Sequence, residues 1–269
     1  MFMRKVKAAH ECSIGEAPSC HDEYEPGANV ELDEMPELTV EAIHRYMGSS
    51  RDLAPDDKGK IRTHVTGTGL APWEIHRPQK VVRDLVLRRC FEGRVLDAGC
   101  GIGDNALYLA KACPAAEVTA VDLVARCLEF AAAKADLRGM KGKVHLLLAD
   151  LLEQDLGKLP GQLGAEVSGS FSVVLDSSTF HCLSDAERER YVPTLHRLLR
   201  PGGRIYMNCM SEEETRPGGP RRIPVADLQS VFNAASGWEV ESVEATIIEV
   251  HPASWGGEAK ARLFTIRKL

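Results

Sequence analysis

The sequence lacks the marks of several large protein classes. It carries no excess of positive charge: 33 Lys and Arg against 39 Asp and Glu leave a formal net charge of -6, whereas a nucleic-acid binder draws its affinity from Lys and Arg that neutralise phosphates. No run of about 18 apolar residues occurs, the length that a membrane-spanning helix requires. The N-terminal Met1-Phe2-Met3-Arg4-Lys5-Val6-Lys7 has basic residues with no apolar stretch behind them, so no secretory leader is expected. The eight cysteines form no Cys-x-x-Cys pair, and several fall in stretches that read as strand or helix interior. They read as reduced thiols packed as small hydrophobes. These absences argue against nucleic-acid and membrane partners and leave a cytoplasmic protein, monomer or homodimer, acting on a small molecule.

Between Lys7 and Arg45 there is no Lys or Arg at all, while acidic residues recur from Glu11 to Glu41 among Pro18, Pro26 and Pro36. Residues 1–48 therefore read as an acidic arm without a packed core of its own, apart from a short helix from about Thr39 to Met47. His10, Cys12, Cys20 and His21 match no closed zinc spacing, so no metal is expected. Residues 49–80 read as linker and lid: a polar run is followed by Thr66-Gly67-Thr68-Gly69 and then Pro72-Trp73-Glu74-Ile75-His76-Arg77-Pro78. The remainder, 81–269, reads as one domain. With 44% hydrophobic residues in the chain, there is enough apolar material for its core.

Within that domain the pattern alternates. Strands are expected at 94–98, 117–121, 143–148, 171–175 and 204–210, with helices at 81–90, 104–113 and 124–138. A further helix is capped by Ser184-Asp185-Ala186-Glu187 and runs to about Leu199. Pro201-Gly202-Gly203 reads as a turn, 211–224 as a polar loop, 225–235 as a helix, and 238–245 and 262–267 as closing strands. Strands alternating with helices imply an α/β fold, a mostly parallel sheet with helices on both faces. Ligands of such sheets bind outside the carboxyl ends of the strands.

Polar residues do stand just past those ends: Asp97, Asp122, Asp150 and Asp176. They collect around Val95-Leu96-Asp97-Ala98-Gly99-Cys100-Gly101-Ile102-Gly103, where glycines allow positive φ and close backbone approach at a helix N-terminus. An acidic residue about 20 positions beyond such a turn is the expected partner of a ribose diol, which selects Asp122. A dinucleotide fingerprint would require glycine where Asp104 stands, and a carboxylate facing a pyrophosphate repels it. An adenosyl ligand with an amine and a sulfonium fits better, and that ligand is S-adenosyl-L-methionine.

These residues resemble the first motif of class I S-adenosylmethionine-dependent methyltransferases, and Leu199-Arg200-Pro201-Gly202-Gly203-Arg204 resembles that family's turn into strand five. The resemblance covers roughly Trp73 to Leu269. It implies a Rossmann-like seven-stranded sheet of order 3-2-1-4-5-7-6 with the last strand antiparallel. It also implies that Gly99, Gly101 and Gly103, with Cys100 between them, approach the methionine portion and that Asp97 holds its amino group. Asp122 with Leu123 would hold the ribose, Asp150 with Leu151 the adenine, and Asp176 would lie beside the transferred methyl. Pro72 to Pro78, Asn105-Ala106-Leu107 and Asp176-Ser177-Ser178-Thr179-Phe180-His181 are similar to small-molecule enzymes of the thiopurine and tellurite-resistance type.

His181 is read as acceptor contact or base, with a histidine satisfied by a helix cap as the alternative; Asp176 and, from the lid, His76 and His64 are further candidate bases. Trp73 is read as closing over cofactor or substrate, with a core aromatic as the alternative. Arg77 and Gln79 are read as methionine-carboxylate contacts or as lid and cap residues. Glu187 to Arg190 read as a solvated helix face, and Arg216, Arg221 and Arg222 as an exposed basic loop, with attraction of an anionic substrate as the alternative. The expected activity is methyl transfer to a small thiol or other soft nucleophile. The alternatives are an O- or N-methyltransferase and a catalytically silent cofactor-binding module.

Overall fold

The computed structural model describes residues 72–252 and 254–269. The acidic arm, the His10 to His21 group and most of the 49–80 segment, His64 included, lie outside the described residues. In chain order the elements are α1 (Lys80–Leu87), β1 (Gly93–Ala98), α2 (Asp104–Ala112), β2 (Ala116–Asp122), α3 (Ala125–Leu137) and β3 (Val144–Leu148). They continue with β4 (Phe171–Ser177), α4 (Asp185–Leu198), β5 (Leu199–Met210), α5 (Val225–Val231), β6 (Trp238–Glu249) and β7 (Glu258–Lys268).

One sheet holds all seven strands in the expected order β3-β2-β1-β4-β5-β7-β6. Strands β1 to β5 pair in parallel, and β7 runs antiparallel to both β5 and β6. Central strands covered on both sides read as near-continuous apolar runs. Val95, Leu96 and Ala98 of β1 are buried accordingly. On one face α1, α2 and α3 contribute Val81, Leu85, Leu107, Leu109, Leu128 and Ala131 to a core with Val95, Val118, Val173, Leu175 and Tyr206. On the other, α4 and α5 contribute Tyr191, Leu195, Leu198 and Leu228 to a core with Leu96, Val174, Ile205, Met207 and Phe264.

The Ser184 cap is present as a full capping box: Ser184 Oγ accepts from Glu187 N at 3.3 Å, and Ser184 N donates to Glu187 Oε2 at 2.8 Å. Several expectations are corrected. β6 runs on to Glu249 and β7 starts at Glu258, beyond 238–245 and 262–267, the added residues pairing across the ladder from Thr246 with Ala261 to Glu249 with Glu258. The 225–235 helix ends at Val231, with a separate 3-10 turn at Ala234–Ser236. Pro201-Gly202-Gly203 does turn, as a bulge within the span of β5: Gly202 has a φ of 71° and the register against β4 jumps from Leu199 to Arg204. Arg188 is not on a solvated face: it is buried, its guanidinium stacks 4.4 Å from the Phe180 ring centre, and it donates to Phe180 O. Helix α4 turns that residue inward towards the turn after β4. Arg216 and Arg222 are likewise committed, Arg216 to Glu214 at 2.8 Å and Arg222 to the Glu214 carbonyl at 3.0 Å. Arg221 pairs with Asp185 at 2.8 Å.

Candidate functional site

The apolar run of β1 ends at Ala98, and the chain then turns through three glycines of positive φ, Gly99 (75°), Gly101 (52°) and Gly103 (76°). The three have different neighbours. A Cβ on Gly99 would fall 2.1 Å from Thr179 Oγ1, and one on Gly103 would fall 2.6 Å from the Ala131 Cβ. Gly99 therefore admits the turn after β4, and Gly103 admits α3. A Cβ on Gly101 would meet nothing within 4 Å, so its Cα side opens away from the protein. Cys100 is buried between them, and burial raises its thiol well above the ordinary range.

Asp104 does not face the ligand side. Its carboxylate is buried against α3, 2.7 Å from Lys134 Nζ and 3.4 Å from Arg138 Nη2. The repulsion of a pyrophosphate argued from its charge is therefore corrected: two cations from α3 neutralise it.

The strand-end acids differ in what they already hold. Asp122 Oδ2 accepts from Gly101 N at 2.8 Å and Oδ1 from Val124 N at 2.8 Å. This shapes the glycine loop and leaves lone pairs on both oxygens for a diol. Leu123 follows it at the bend out of β2. Asp150 Oδ1 accepts from Leu152 N at 2.8 Å, and Leu151 beside it is buried in the core.

Asp97 is the contrasting case. It is 1% exposed, and neither carboxylate oxygen has a hydrogen-bond partner among the described residues. Burial, together with the charges of Asp122 and Asp176, raises its carboxyl to about 7, partly offset by the Ala106 amide in the first turn of α2. A buried carboxylate with no hydrogen bond of normal geometry, and only the weak pull of the Ala106 amide, is what a ligand ammonium would satisfy. Asp97, the open side of Gly101 and the diol-ready Asp122 fit S-adenosylmethionine in that order along the sheet.

Beyond β4 the chain forms a tight turn organised by Asp176. Its carboxylate is fully buried and accepts from Thr179 N at 2.9 Å, from Phe180 N at 3.1 Å and from Tyr191 Oη at 2.8 Å. Burial raises this carboxyl to about 6. His181 is also buried, and its Nδ1 accepts from Met210 N at 3.0 Å. Burial, reinforced by Arg188 and Arg222, lowers its pKa to about 3, and the Ser178 carbonyl takes its remaining hydrogen bond. His181 is thus a neutral side chain tying the turn after β4 to the end of β5.

The lid residues form a strap. Pro72 O accepts from His251 N at 2.6 Å. Gln79 exchanges side-chain hydrogen bonds with both the amide and the carbonyl of Glu249, at 2.8 and 2.9 Å. Arg77 and Arg83 bind the Glu249 carboxylate at 3.1 and 2.9 Å. Arg77 and Gln79 therefore pin the strap to β6. Glu74 adds a weak electrostatic pull on Cys127 and Lys134 of α3. Trp73 is 43% exposed within the strap.

Three residues at the ends of β4 and β5, two of them quoted in a motif, had no role assigned from the sequence. Ser178 holds a φ of 78°, a conformation that L residues adopt at a cost of about 1–3 kcal/mol and that clusters at functional sites. Ser177 Oγ and both polar atoms of the fully buried Asn208 have no hydrogen-bond partner among the described residues. The available signal was Asn208 itself, an amide in the apolar run Ile205-Tyr206-Met207-Asn208-Cys209-Met210.

Comparison with known proteins bears on the fold and the cofactor. Residues 95–203 match the family model described as a methyltransferase domain. A 2-heptyl-1-hydroxyquinolin-4(1H)-one methyltransferase of Mycobacteroides abscessus is 26% identical over 174 residues, 64% of this chain and 70% of that protein. A probable thiol methyltransferase 2 of Arabidopsis thaliana is 23% identical over 185 residues, 68% of this chain and 76% of that protein. A solved structure concerned with conversion of a disulfide bond into a thioacetal group during echinomycin biosynthesis superposes with a TM-score of 0.61 at 28% identity, covering 74% of this chain and 85% of that one. Together with the strand order, these matches give residues 95–203 as a methyltransferase domain within a Rossmann-like sheet and support S-adenosylmethionine as the cofactor.

Proposed function

We propose that the chain methylates a small molecule at sulfur or a comparably soft nucleophile. The observation that carries this reading is the state of the two groups best placed to act as a base. His181 is neutral with both ring nitrogens engaged, and the Asp176 carboxylate is filled by three donors. An alcohol needs a base to become a nucleophile. A thiol, with an unperturbed pKa near 8.5, is already partly ionised at neutral pH. The thiol methyltransferase relative supports the same reading.

In this reading Asp97 holds the cofactor's ammonium, Asp122 with Leu123 its ribose, and Asp150 with Leu151 its adenine. The loop of Gly99, Cys100, Gly101 and Gly103 lies under its methionine part, and Trp73 closes the cover. Asp176 and His181 then act as positioning residues that fix the 178–182 turn beside the reacting atoms. The bound cofactor supplies an electrophilic methyl on a sulfonium, which it would pass to an acceptor thiolate, whose proton was given up to bulk water before entry, and it would leave as the neutral thioether. The protein's contribution is to align the two sulfurs and exclude solvent. The six described cysteines are free thiols, in keeping with the reducing cytoplasm.

An O- or N-methyltransferase is the second reading, favoured by the hydroxyquinolinone methyltransferase relative. The test is incubation with S-adenosylmethionine and a panel of thiols and phenols, reading S-adenosylhomocysteine and methylated product by mass. Methylated thiols are expected. Methylation of phenols alone would remove the sulfur assignment, and tight cofactor binding with no product from any member would leave a binding module. Independently, Asp122→Ala is expected to raise the Kd for S-adenosylhomocysteine by roughly 30- to 150-fold, the loss of a two-hydroxyl contact of about 2–3 kcal/mol. An unchanged Kd would remove the ribose assignment.

A further inference from the structure

Three of the orphaned polar side chains at the strand ends, Asp97, Ser177 and Asn208, fall on one face of the sheet. Asp97 pairs in register with Leu175, Leu175 with Tyr206, and Ser177 with Asn208. Residues in register across parallel strands share a face, and so do residues two apart on one strand. Asp97, Ser177 and Asn208 therefore form a row with Leu175 and Tyr206 on the side covered by α1, α2 and α3. Along this row the adenine end of the cofactor belongs over β3, its ribose over β2 and its methionine end over β1. The next strands in order are β4 and β5, so the space reached by the methyl group lies over Ser177 and Asn208.

Asn208 can make four hydrogen bonds through its side chain and makes none. Burying an unsatisfied amide costs about 1–3 kcal/mol, a cost rarely kept in a native core without a function. The neighbouring backbone is distorted as well: the Ser178 amide donates to the Asn208 carbonyl at 3.0 Å while Ser178 sits at positive φ. A primary amide presents a donor and an acceptor side by side. The ligand edge that satisfies both is an acceptor atom beside a donor, such as a ring N–H next to C=O or C=S. Ser177 Oγ adds one more donor or acceptor at the same place.

We infer that Asn208, assisted by Ser177, is the specificity-determining floor of the methyl-acceptor site and that the acceptor is a planar heterocycle presenting an adjacent N–H and C=S or C=O edge. This rests on the methyl-transfer reading above and deepens it. A phenyl thiol offers no such edge and leaves Asn208 unsatisfied, which is how the site rejects it.

The test uses the full chain saturated with S-adenosylhomocysteine, titrated calorimetrically with 2-mercaptopyridine, whose thione form sets N–H beside C=S, and with thiophenol, which lacks the ring nitrogen. The wild type is expected to bind 2-mercaptopyridine at least tenfold more tightly. Asn208→Leu is expected to bring the two ligands within about threefold and to leave S-adenosylhomocysteine affinity within about twofold. It is also expected to melt at the same or a higher temperature, because it replaces an unsatisfied amide with an apolar side chain of similar size. Equal or absent binding of the two ligands by the wild type overturns the inference, as does a preference that survives in Asn208→Leu. A variant that fails to fold or melts several degrees lower also overturns it, since that is the behaviour of a satisfied structural amide. Turnover separates this inference from the reading it rests on. Preferred binding of 2-mercaptopyridine without S-methylation would keep Asn208 and remove the sulfur assignment, whereas equal binding with methylation of both thiols would do the reverse.

Discussion

Asp97 and His181 show how burial acts with opposite sign on an acid and a base. The Asp97 carboxyl is raised from 3.8 to about 7, so between those values the folded protein holds a proton that the unfolded chain has released. Stability without cofactor therefore declines as pH rises through that window. His181 is lowered from 6.5 to about 3, so there the unfolded chain holds the extra proton, and stability is lost as pH falls through that range. For binding, the charged form of Asp97 is the one that pairs with an ammonium. Calorimetry of wild type with S-adenosylhomocysteine is expected to show nearly constant affinity above about pH 8 and a loss approaching tenfold per unit well below 7. Asp97→Asn should bind weakly with little slope over the same range. A wild-type affinity independent of pH would detach Asp97 from the ammonium. At this scale the sequence was readable where position alone decides, as for Asp97, Asp122 and Asp150 at strand ends. It was not readable where direction decides. Asp104 turns to Lys134 and Arg138, which lie about 30 residues further on, and His181 spends its Nδ1 on an amide at the end of β5.

The glycine loop shows what an element requires of its residues. Gly103 lets α2 and α3 meet, and Gly101 faces open space, so the same substitution should have different effects at the two positions. Gly103→Ala places a methyl 2.6 Å from Ala131 at a φ of 76°. It is expected to cost roughly 2–4 kcal/mol of stability, from overpacking added to backbone strain. Gly101→Ala carries only the strain, about 1–2 kcal/mol. Its methyl projects into the cofactor's side of the loop and should raise the Kd for S-adenosylhomocysteine by at least tenfold. Urea unfolding and calorimetry on both variants check this. Comparable affinity losses with equal stability would show that Gly101 does not face the ligand. The elements most legible in sequence were β1 to β5, buried on both sides, and the Ser184 box. Those at the antiparallel edge were misjudged, since β6 is half exposed and its charged residues satisfy cross-strand partners instead of a core. Asn208 escaped because one amide in an apolar strand reads as an ordinary polar position until its lack of partners is seen.

Over the whole molecule, the site concentrates groups that oppose folding: a buried carboxyl with no hydrogen bond of normal geometry, an unsatisfied amide and a serine at positive φ, all at the carboxyl ends of β1, β4 and β5. The cores on both faces hold the sheet together around them, and in the proposed reading ligand binding would relieve part of the cost. Cofactor binding should then be visible as stabilisation. S-adenosylhomocysteine at about 100 times its Kd contributes roughly 2.7 kcal/mol. For a domain of this size, that is a rise in Tm of about 5–11 °C near pH 8. At about pH 5.5, some 1.5 units below the Asp97 value of about 7, most of the protein must first lose that proton, so the Kd rises roughly 30-fold. At the same ligand concentration the contribution falls to about 0.8 kcal/mol and the rise in Tm to about 2–3 °C. Asp97→Asn should show a small rise at both pH values, and its cofactor-free form should melt higher than the cofactor-free wild type near pH 8, because it no longer buries a charge. A wild-type shift that is undiminished in acid would mean that the cofactor draws its stabilisation from elsewhere along the strand ends, with Asp122 and Asp150 as the groups to examine in its place.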